Sequence, residues 1–327
     1  MFPFKYVRAT DEATAIDAAR AERTTQWIAG GTTLVDLMRL EVMRPAVVVD
    51  INPLPLAKIA AKGDGVLIGA MVRNSELATH PMIAERYPLL AQALLSGASP
   101  QLRNMATVGG NLMQRTRCPY FRDLATACNK REPGTGCSAM DGYTRSHAVL
   151  GTSASCIATH PSDMCVALVA LDAVIHAKGP AGERTIAMAE LHTLPGNRPE
   201  VENVLKPGEL ITGVELPPST FAKHSHYLKV RDRASYAFAL ASCGAALDLA
   251  GTTVRDVRIA LGGVATKPWR AVAAEKALVG RAATLDNFRQ AAVVAMDGAV
   301  ARGDNAFKIE LARRTIVRAL TVAGGVS

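Results

Sequence analysis

The chain has 327 residues, of which 49% are hydrophobic and 20% are charged. This composition is typical of a globular protein of about two domains with a large buried core, and it excludes an intrinsically disordered chain. The formal net charge is +8, but the basic residues are dispersed and only 5% of residues are aromatic. A nucleic-acid surface needs a basic stripe with interleaved stacking rings, so this function class is disfavoured.

The N-terminal third is predicted to alternate short strands and helices. Residues 46–51 and 65–71 are predicted strands because they are rich in β-branched side chains. Residues 32–42 and 75–98 carry apolar side chains at helical spacing. The sequence therefore begins as an α+β fold.

A domain boundary is predicted where two prolines follow a strand. Residues 162–177 are predicted to form a helix, with Ser162 and Asp163 as capping candidates, that runs into a strand. Residues 209–217 are predicted to form another strand, which Pro217 and Pro218 end. Consecutive prolines stop regular structure and stiffen a linker, so we expect domains at 1–217 and 218–327.

The C-terminal domain is predicted to combine an antiparallel sheet with covering helices. Strand patterns are followed by amphipathic helical patterns, and we expect the helices to cover one face of the sheet. The strand segments are 224–233, 238–250 and 253–265, and the helical segments are 268–280, 285–301 and 307–325.

Two glycine-rich turns lie in the N-terminal domain. Gly30 and Gly31 lie between a short apolar segment and a predicted helix, and Thr32 and Thr33 add hydroxyl groups. Exposed backbone N–H groups at such a turn can hold a pyrophosphate, and a helix start favours anions. A tight strand-to-helix turn would also explain the glycine pair. The stretch does not fit G-x-G-x-x-G, which excludes a Rossmann dinucleotide site.

The second turn offers similar groups. Thr107, Gly109, Gly110 and Asn111 supply a hydroxyl, bare backbone and an amide. Two such turns in one domain fit a ligand with two phosphates better than either turn does alone.

Six motifs in order give the sequence a family resemblance. They are AGGTTLVDLM (29–38), GAMVRNSELA (69–78), PQLRNMATVGGNL (100–112), SDMCVALVALDA (162–173), ELITGVELP (209–217) and YLKVRDRASYAFAL (227–240). Together they resemble the FAD-binding medium subunit of molybdenum hydroxylases, the group of xanthine dehydrogenase, carbon monoxide dehydrogenase and aldehyde oxidoreductases. The resemblance covers nearly the whole chain.

The resemblance implies the fold and a set of cofactor-binding residues. The expected fold is α+β, with a two-part flavin-binding domain of the PCMH/VAO-like type followed by a small α+β C-terminal domain. By position, the FAD-binding residues are Ala29, Gly30, Gly31, Thr32, Thr33, Leu34, Thr107, Gly110, Asn111, Asp163, Ile211 and Lys229. The glycine loops would hold the pyrophosphate, and Asp163 matches a family aspartate near the adenosine portion.

Some of these residues also have ordinary explanations. Asp163 could serve only as a helix cap, Ile211 only as a core residue and Lys229 only as a solvated charge at a strand edge.

Four of the six cysteines lie in an insertion at about 113–161. About fifty residues separate Asn111 from Ser162, whereas family members without extra cysteines need only a few. Cys118, Cys128, Cys137 and Cys156 are separated by 9, 8 and 18 residues. This spacing fits neither zinc ribbons nor bacterial ferredoxins, so it names no metal.

The composition of the insertion favours a functional loop. A long irregular loop in a compact domain is usually functional, and prolines and glycines let this one fold back on itself. Residues 114–137 carry a local charge of +3, which would stabilise an anionic iron–sulfur cluster. The charged residues are Arg115, Arg117, Arg122, Lys130 and Arg131 against Asp123 and Glu132.

The insertion resembles that of the medium subunits that carry a 4Fe-4S cluster, as in bacterial heterotrimeric aldehyde oxidoreductases. The resemblance implies that all four cysteines are cluster ligands. Four thiolates suit Zn²⁺ equally, so a structural zinc site stays open, whereas a disulfide would need an oxidising compartment. Cys165 and Cys243 have apolar neighbours and are predicted to be inert core residues.

The function implied by the resemblance is electron transfer within a heterotrimer. A large subunit with a molybdenum cofactor would oxidise the substrate, with aldehydes as the expected class. A small subunit with 2Fe-2S centres would pass electrons to the FAD of this chain, which would reduce an external acceptor. The alternatives are a non-redox assembly module with a zinc loop and a stand-alone flavin oxidase.

Membrane insertion is not expected. The longest apolar runs have about half of the roughly 20 residues that a spanning helix needs. The N-terminal residues show no signal peptide. The complex is therefore expected in the cytoplasm, or in the periplasm behind the signal of a partner.

Overall fold

A computed structural model of the protein describes residues 1–22 and 24–326. The fold is α+β, as the resemblance implies, with one parallel and two antiparallel sheets. None of the helices in these two ranges is long and apolar enough to cross a membrane.

The chain begins with a three-stranded parallel sheet in the order β1-β3-β2. Its elements are β1 (Lys5–Arg8), α1 (Glu12–Ala21), β2 (Gln26–Ile28), α2 (Leu34–Arg39) and β3 (Val47–Asp50). Asp11 begins α1 by accepting a hydrogen bond from the backbone N–H of Thr14 at 2.7 Å. The first glycine loop joins β2 to α2.

A five-stranded antiparallel sheet in the order β4-β5-β8-β6-β7 follows. The elements of this part are β4 (Ile59–Lys62), β5 (Gly65–Gly69), α3 (Asn74–Thr79), α4 (Pro81–Arg86), α5 (Pro88–Ser96), α6 (Pro100–Met105), α7 (Val108–Leu112), α8 (Pro119–Arg122), α9 (Asp163–Ala170), β6 (Val174–Gly179), β7 (Gly182–Ala187), α10 (Met188–Leu191) and β8 (Leu210–Leu216).

The helical pattern over 75–98 corresponds to three helices. Pro81 and Pro88 each stand at the first position of a new helix, α4 and α5. A proline has no N–H for the preceding turn and disfavours helical backbone in the residue before it. The apolar pattern therefore predicted helix correctly, and the two prolines divide the segment into three helices.

The C-terminal part is a four-stranded antiparallel sheet, ordered β12-β11-β10-β9, with helices on one face. Its elements are β9 (Ser225–Val230), β10 (Ala241–Ala250), β11 (Thr253–Gly262), β12 (Trp269–Arg270), α11 (Val272–Leu278), α12 (Leu285–Ala295), a 3₁₀ turn (Gly303–Asn305) and α13 (Phe307–Gly324). Helix α13 packs on β9 and β10, and α12 packs on α13, which confirms the expected covering helices.

One hydrophobic core crosses from the N-terminal part into the C-terminal sheet. All eight residues of α9 are buried, as expected for a helix that is apolar on every side. Tyr227, Ala246 and Ala260 of the C-terminal sheet belong to the same core as α5 and α9. The two parts therefore share packing across the proline pair.

The cysteine insertion over 113–161 contains one short helix, α8, and otherwise consists of turns. Its last third lies against the C-terminal part. The backbone N–H of Val149 donates to the carbonyl of Val264 at 2.9 Å, and that of Val300 donates to the carbonyl of Val149 at 2.8 Å. These bonds fix the loop although it has little regular structure.

Candidate functional site

The first glycine loop is pressed against the backbone that precedes the second. A Cβ atom on Gly30 would lie 1.9 Å from the carbonyl oxygen of Met105, so a side chain cannot be accommodated there. Gly31 has φ +72°, a left-handed conformation that favours glycine. The glycine pair is thus required both by a close approach and by backbone geometry.

The second glycine loop is held by the segment that follows β5, an interior strand of the five-stranded sheet. The backbone N–H of Gly109 donates to the carbonyl of Ala70 at 2.8 Å, and that of Val108 donates to the carbonyl of Val72 at 3.0 Å. The hydroxyl of Thr107 accepts from the backbone N–H of Gly110 at 3.2 Å.

Two cavities open on either side of these loops. The first has a volume of about 470 Å³ and the second of about 660 Å³. Thr32, Thr33 and Gly110 line both cavities. The two loops together therefore form the wall that the cavities share.

The predicted FAD-binding residues divide between the cavities. Those that line only the first are Ala29, Gly30, Gly31, Leu34, Thr107 and Ile211. Asn111 and Asp163 line only the second. Lys229 lies one layer behind the wall of the second cavity, where its side chain is 3% exposed.

Lys229 contacts Asp163 directly. Its Nζ donates to Asp163 Oδ2 at 2.8 Å and to the carbonyl of Ser96 at 3.1 Å. The hydroxyl of Tyr227 donates to Asp163 Oδ1 at 2.7 Å and lies 3.0 Å from Ser242 Oγ. Burial, with the Asp163 carboxylate alongside, raises the pKa of Tyr227 well above its usual value. Asp163 is thus a fully bonded carboxylate at the cavity wall.

The amide of Asn111 is held between two side chains. Ser162 Oγ donates to Asn111 Oδ1 at 2.6 Å, and Gln114 Nε2 donates to the same oxygen at 2.5 Å. Ser162 also caps α9 by accepting from the backbone N–H of Cys165 at 3.0 Å. Ser162 therefore ties the second glycine loop to α9.

Sequence reasoning missed several residues of the cavity walls. Gln114 lines both cavities, and Arg233, Tyr236 and Phe238 of the loop between β9 and β10 line the second. Tyr236 has φ +54°, which is uncommon for a bulky residue. The motif YLKVRDRASYAFAL contains these three residues, but the pattern alone gives no sign that the loop reaches the glycine turns.

A histidine pair lies beside the first cavity. His160 Nε2 and His192 Nε2 are 3.2 Å apart, and His192 Nε2 is 2.9 Å from the carbonyl oxygen of Leu112. Burial lowers the pKa of His192 to about 4 and lowers that of His160 well below its usual range, so both rings are neutral near pH 7. Cys165 completes a group of three potential ligand atoms within 4.8 Å of one another.

The four insertion cysteines line one small cavity. Cys118, Cys128, Cys137 and Cys156 surround it together with Phe121 and other side chains, and all four are free thiols. Cys128 pairs with Cys137 across a short hairpin. Gly134 and Gly136 in its turn have φ +88° and +98°, so they supply the bends that the sequence analysis expected.

A backbone N–H group contacts one of these sulfur atoms. The N–H of Ala158 donates to Cys156 Sγ at 3.5 Å. Burial nevertheless raises the pKa of the Cys118 thiol to about 12 and also raises those of Cys137 and Cys156. The thiolates are therefore stable here only when a cation binds them.

The spacing of the sulfur atoms distinguishes the candidate metals. Four thiolates on one zinc ion stand about 3.8 Å apart, because a Zn–S bond is about 2.3 Å long and the geometry is tetrahedral. Within the described part of the chain, no three of the four insertion sulfurs lie within 4.8 Å of one another. One zinc ion would therefore bind all four sulfurs only after they move closer together.

Most of the cations in the insertion are already paired with carboxylates from outside it. Arg117 and Arg122 bind Asp36 of α2 at 3.2 and 2.7 Å. Arg115 and Lys130 bind Glu202 at 2.5 and 3.1 Å. The local charge excess is therefore smaller than the sequence count of +3 indicates.

Arg131 has a different environment. Its guanidinium donates to the carbonyl oxygens of Tyr120, Phe121 and Thr126, which hold the backbone beside Cys118 and Cys128. Cys165 and Cys243 are fully buried in the two main cores, as predicted, and line no part of the cysteine cavity.

Two family models together cover nearly the whole sequence. Residues 2–219 match the FAD binding domain in molybdopterin dehydrogenase, and residues 226–323 match the CO dehydrogenase flavoprotein C-terminal domain. These matches define a flavin-binding oxidoreductase subunit. The chain belongs to the family of FAD-binding medium subunits of molybdenum hydroxylases.

Curated relatives and solved structures agree with this class. The chain is 48% identical to the aldehyde oxidoreductase FAD-binding subunit PaoB of Escherichia coli (strain K12), over 99% of both chains. It is 28% identical to the glyceraldehyde dehydrogenase medium chain of Sulfolobus acidocaldarius, over 86% of this chain and 83% of that one. A carbon monoxide dehydrogenase structure from Hydrogenophaga pseudoflava superposes with a TM-score of 0.78, at 27% identity and 99% coverage of both chains.

Proposed function

We propose that this chain is the FAD-binding electron-transfer subunit of a heterotrimeric, molybdenum-containing aldehyde oxidoreductase. The observation that carries the proposal is the pair of glycine loops, which meet backbone to backbone between two cavities. An extended dinucleotide has a pyrophosphate at its centre and a ring system at each end. The glycine loops would hold the pyrophosphate, and the two cavities would hold the ring systems at its ends.

The expected binding residues fit these parts. Gly30 and Gly31 would offer backbone N–H groups to the pyrophosphate, and Gly110, which has no side chain, would let it approach the second loop. Thr32, Thr33 and Gly110 line both cavities. Ile211 would contact one end of the dinucleotide and Asp163 the other, because they line different cavities. Lys229 would act through Asp163 by holding its carboxylate in place.

Bound FAD supplies the chemistry of the relay, since a flavin can exchange single electrons with iron–sulfur centres and electron pairs with an acceptor. The chain itself binds and orients the cofactor and shields it from water. We propose that electrons enter from 2Fe-2S centres of a small subunit, after aldehyde oxidation at a molybdenum cofactor in a large subunit. They would leave to an external acceptor.

The choice of aldehydes rests on the relatives. The relative at 48% identity is named as a subunit of an aldehyde oxidoreductase and the one at 28% as a subunit of a glyceraldehyde dehydrogenase. The substrate pocket itself would lie in the large subunit.

We propose that Cys118, Cys128, Cys137 and Cys156 hold a 4Fe-4S cluster. A shared cavity, sulfur spacing wider than one zinc ion needs, and a backbone N–H that donates to Cys156 Sγ support this ligand set. A bound cluster would take up and return single electrons. Lys130 and Ala158 border both the cysteine cavity and the first cavity, so the two sites would be near neighbours.

The proposed domain division follows the expectation of residues 1–217 and 218–327, with the insertion at about 113–161. Strand β8 ends at Leu216 and β9 begins at Ser225, so the proline pair falls between them. The first family match ends at residue 219 and the second begins at residue 226, so the change from one match to the other falls close to the same place.

An anaerobic reduction experiment tests the proposed function. An aldehyde added to the purified complex should bleach the flavin absorbance of this chain, and the same aldehyde added to the isolated chain should not. Turnover of an aldehyde by the isolated chain would favour a stand-alone flavin oxidase. A flavin that stays oxidised in a complex that is oxidising aldehyde would contradict the relay.

A further inference from the structure

A buried histidine contacts one of the four insertion cysteines. His147 Nε2 lies 3.2 Å from Cys118 Sγ. His147 is 1% exposed and Cys118 is 9% exposed, so water cannot compete for the contact. Sequence spacing gives no sign of this pair, because 29 positions separate the two residues.

The surroundings of the ring favour a proton on Nε2. His147 Nδ1 is buried and has no hydrogen-bond partner within the described part of the chain, and the nearby carbonyl of Thr144 already accepts from the backbone N–H of His147 at 2.8 Å. A proton on Nδ1 would leave a buried N–H donor unpaired, which is rarer in proteins than an unpaired acceptor. A thiolate bound to metal has no proton and can only accept. The His147 ring therefore attracts the Cys118 sulfur only when its proton is on Nε2, the nitrogen that contacts this sulfur.

The backbone of His147 is fixed by the C-terminal part. Lys308 of α13 is fully buried, and its ammonium donates to the carbonyl oxygens of Ser146, His147 and Gly263. Asn305 Nδ2 donates to the carbonyl of the next residue, Ala148, at 3.1 Å. These bonds fix the backbone that carries the His147 ring next to Cys118.

We propose that His147 is a positioning residue that donates an Nε2–H hydrogen bond to the Cys118 thiolate and raises the reduction potential of the cluster, an inference that rests on the proposed 4Fe-4S site. Reduction adds negative charge to the cluster and its sulfur ligands. A hydrogen bond to a sulfur stabilises the more negative form and therefore favours reduction. Because the ring is buried, solvent screens this effect little.

Two substitutions separate the hydrogen bond from the shape of the side chain. His147→Leu fills the space without a donor, whereas His147→Gln keeps an N–H group near the position of Nε2. His176→Leu is the matched control, because His176 lies in β6 and contacts Glu215 rather than a cysteine. Each full chain is purified anaerobically with its iron and titrated with a reductant while electron paramagnetic resonance reports the cluster.

The expected result is a lower reduction potential for His147→Leu, a potential near that of the wild type for His147→Gln, and no shift for the control. Iron content should be the same in all four proteins. A His147→Leu chain with full iron content and the wild-type potential would overturn the inference.

A second measurement detects the hydrogen bond in the wild-type protein itself. In wild-type protein labelled with nitrogen-15 histidine, pulsed resonance of the reduced cluster should detect one histidine nitrogen, and His147→Gln should remove that signal. Absence of a histidine signal in the wild type would overturn the inference even where His147→Leu loses iron. A wild-type chain purified without iron would instead remove the proposed cluster, so the two failures are distinguishable.

Discussion

The carbonyl oxygen of Met105 lies 1.9 Å from the point where a Cβ atom on Gly30 would stand. The first glycine loop approaches the backbone that leads into the second more closely than any side chain at position 30 allows. Their contact sets the width of the wall between the two cavities, and therefore the place where a pyrophosphate could bind.

Gly30→Ala is expected to weaken FAD binding by about tenfold or more, equivalent to at least ~1.4 kcal/mol. The added methyl group must push the loops apart, because such a short contact cannot be accommodated. FAD content after purification and fluorescence titration with FAD would measure the loss. Gly244→Ala is the control, since its nearest neighbours would be at an ordinary 3.7 Å. Full FAD content in Gly30→Ala would contradict this role of the loop contact.

The buried pair of Asp163 and Lys229 should show strong energetic coupling. Either Asp163→Asn or Lys229→Met leaves one charged partner in a site where the side chains are 9% and 3% exposed, so each change should cost about 3 kcal/mol of the free energy of unfolding. The double variant should cost clearly less than the sum, because it removes both charges. Urea unfolding gives the three values.

The surface pair of Lys62 and Glu215 is the matched comparison. Its side chains are 46% and 28% exposed, and we expect a coupling below about 1 kcal/mol. Additive costs at Asp163 and Lys229 would show that the two residues act independently.

The histidine pair should make the fold sensitive to mild acid. His192 has a folded pKa of about 4 against a usual 6.5, with burial as the main cause, Glu202 opposing it and Lys267 adding to it. His160 is lowered too, by burial and then by His192 and Lys130. As pH falls below about 6.5, the unfolded chain gains protons that the folded chain does not, so stability is lost between pH 6.5 and 4.

His192 alone would contribute a loss of about 3 kcal/mol at pH 4, and His160 would add to that loss. His192→Gln should therefore flatten the dependence of the free energy of unfolding on pH, measured by urea unfolding from pH 7.5 downwards. His176→Gln, which alters a histidine on β6, should leave the slope as in the wild type. An equal slope in all three proteins would rule out the histidine pair as its source.

Local patterns predicted much of the fold. β-branched runs identified β3 and β5, and the amphipathic repeats identified α12 and α13, because their periodicity follows directly from burial of one face. Strands β4 and β7 were not predicted, since segments such as Ile59–Lys62 have few β-branched residues and depend on pairing with a neighbour.

In the candidate sites, too, features set by neighbouring residues could be predicted, whereas contacts between residues far apart in sequence could not. The glycine turns could be predicted, because Gly31 is required by its own backbone conformation. The pairing of Arg122 with Asp36 and of Lys130 with Glu202 could not, since the partners are 86 and 72 positions apart and only the fold brings them together. The contact of His147 with Cys118 is of the same kind.

The decisive measurement is the metal and flavin content of the anaerobically purified chain. We expect one FAD and about four iron atoms per chain, with the iron lost in Cys128→Ser and retained in Cys165→Ser, whose sulfur is buried away from the cysteine cavity. FAD should stay bound in both variants. A colourless chain that holds one zinc ion would contradict the proposed electron-transfer function and favour an assembly module without redox function.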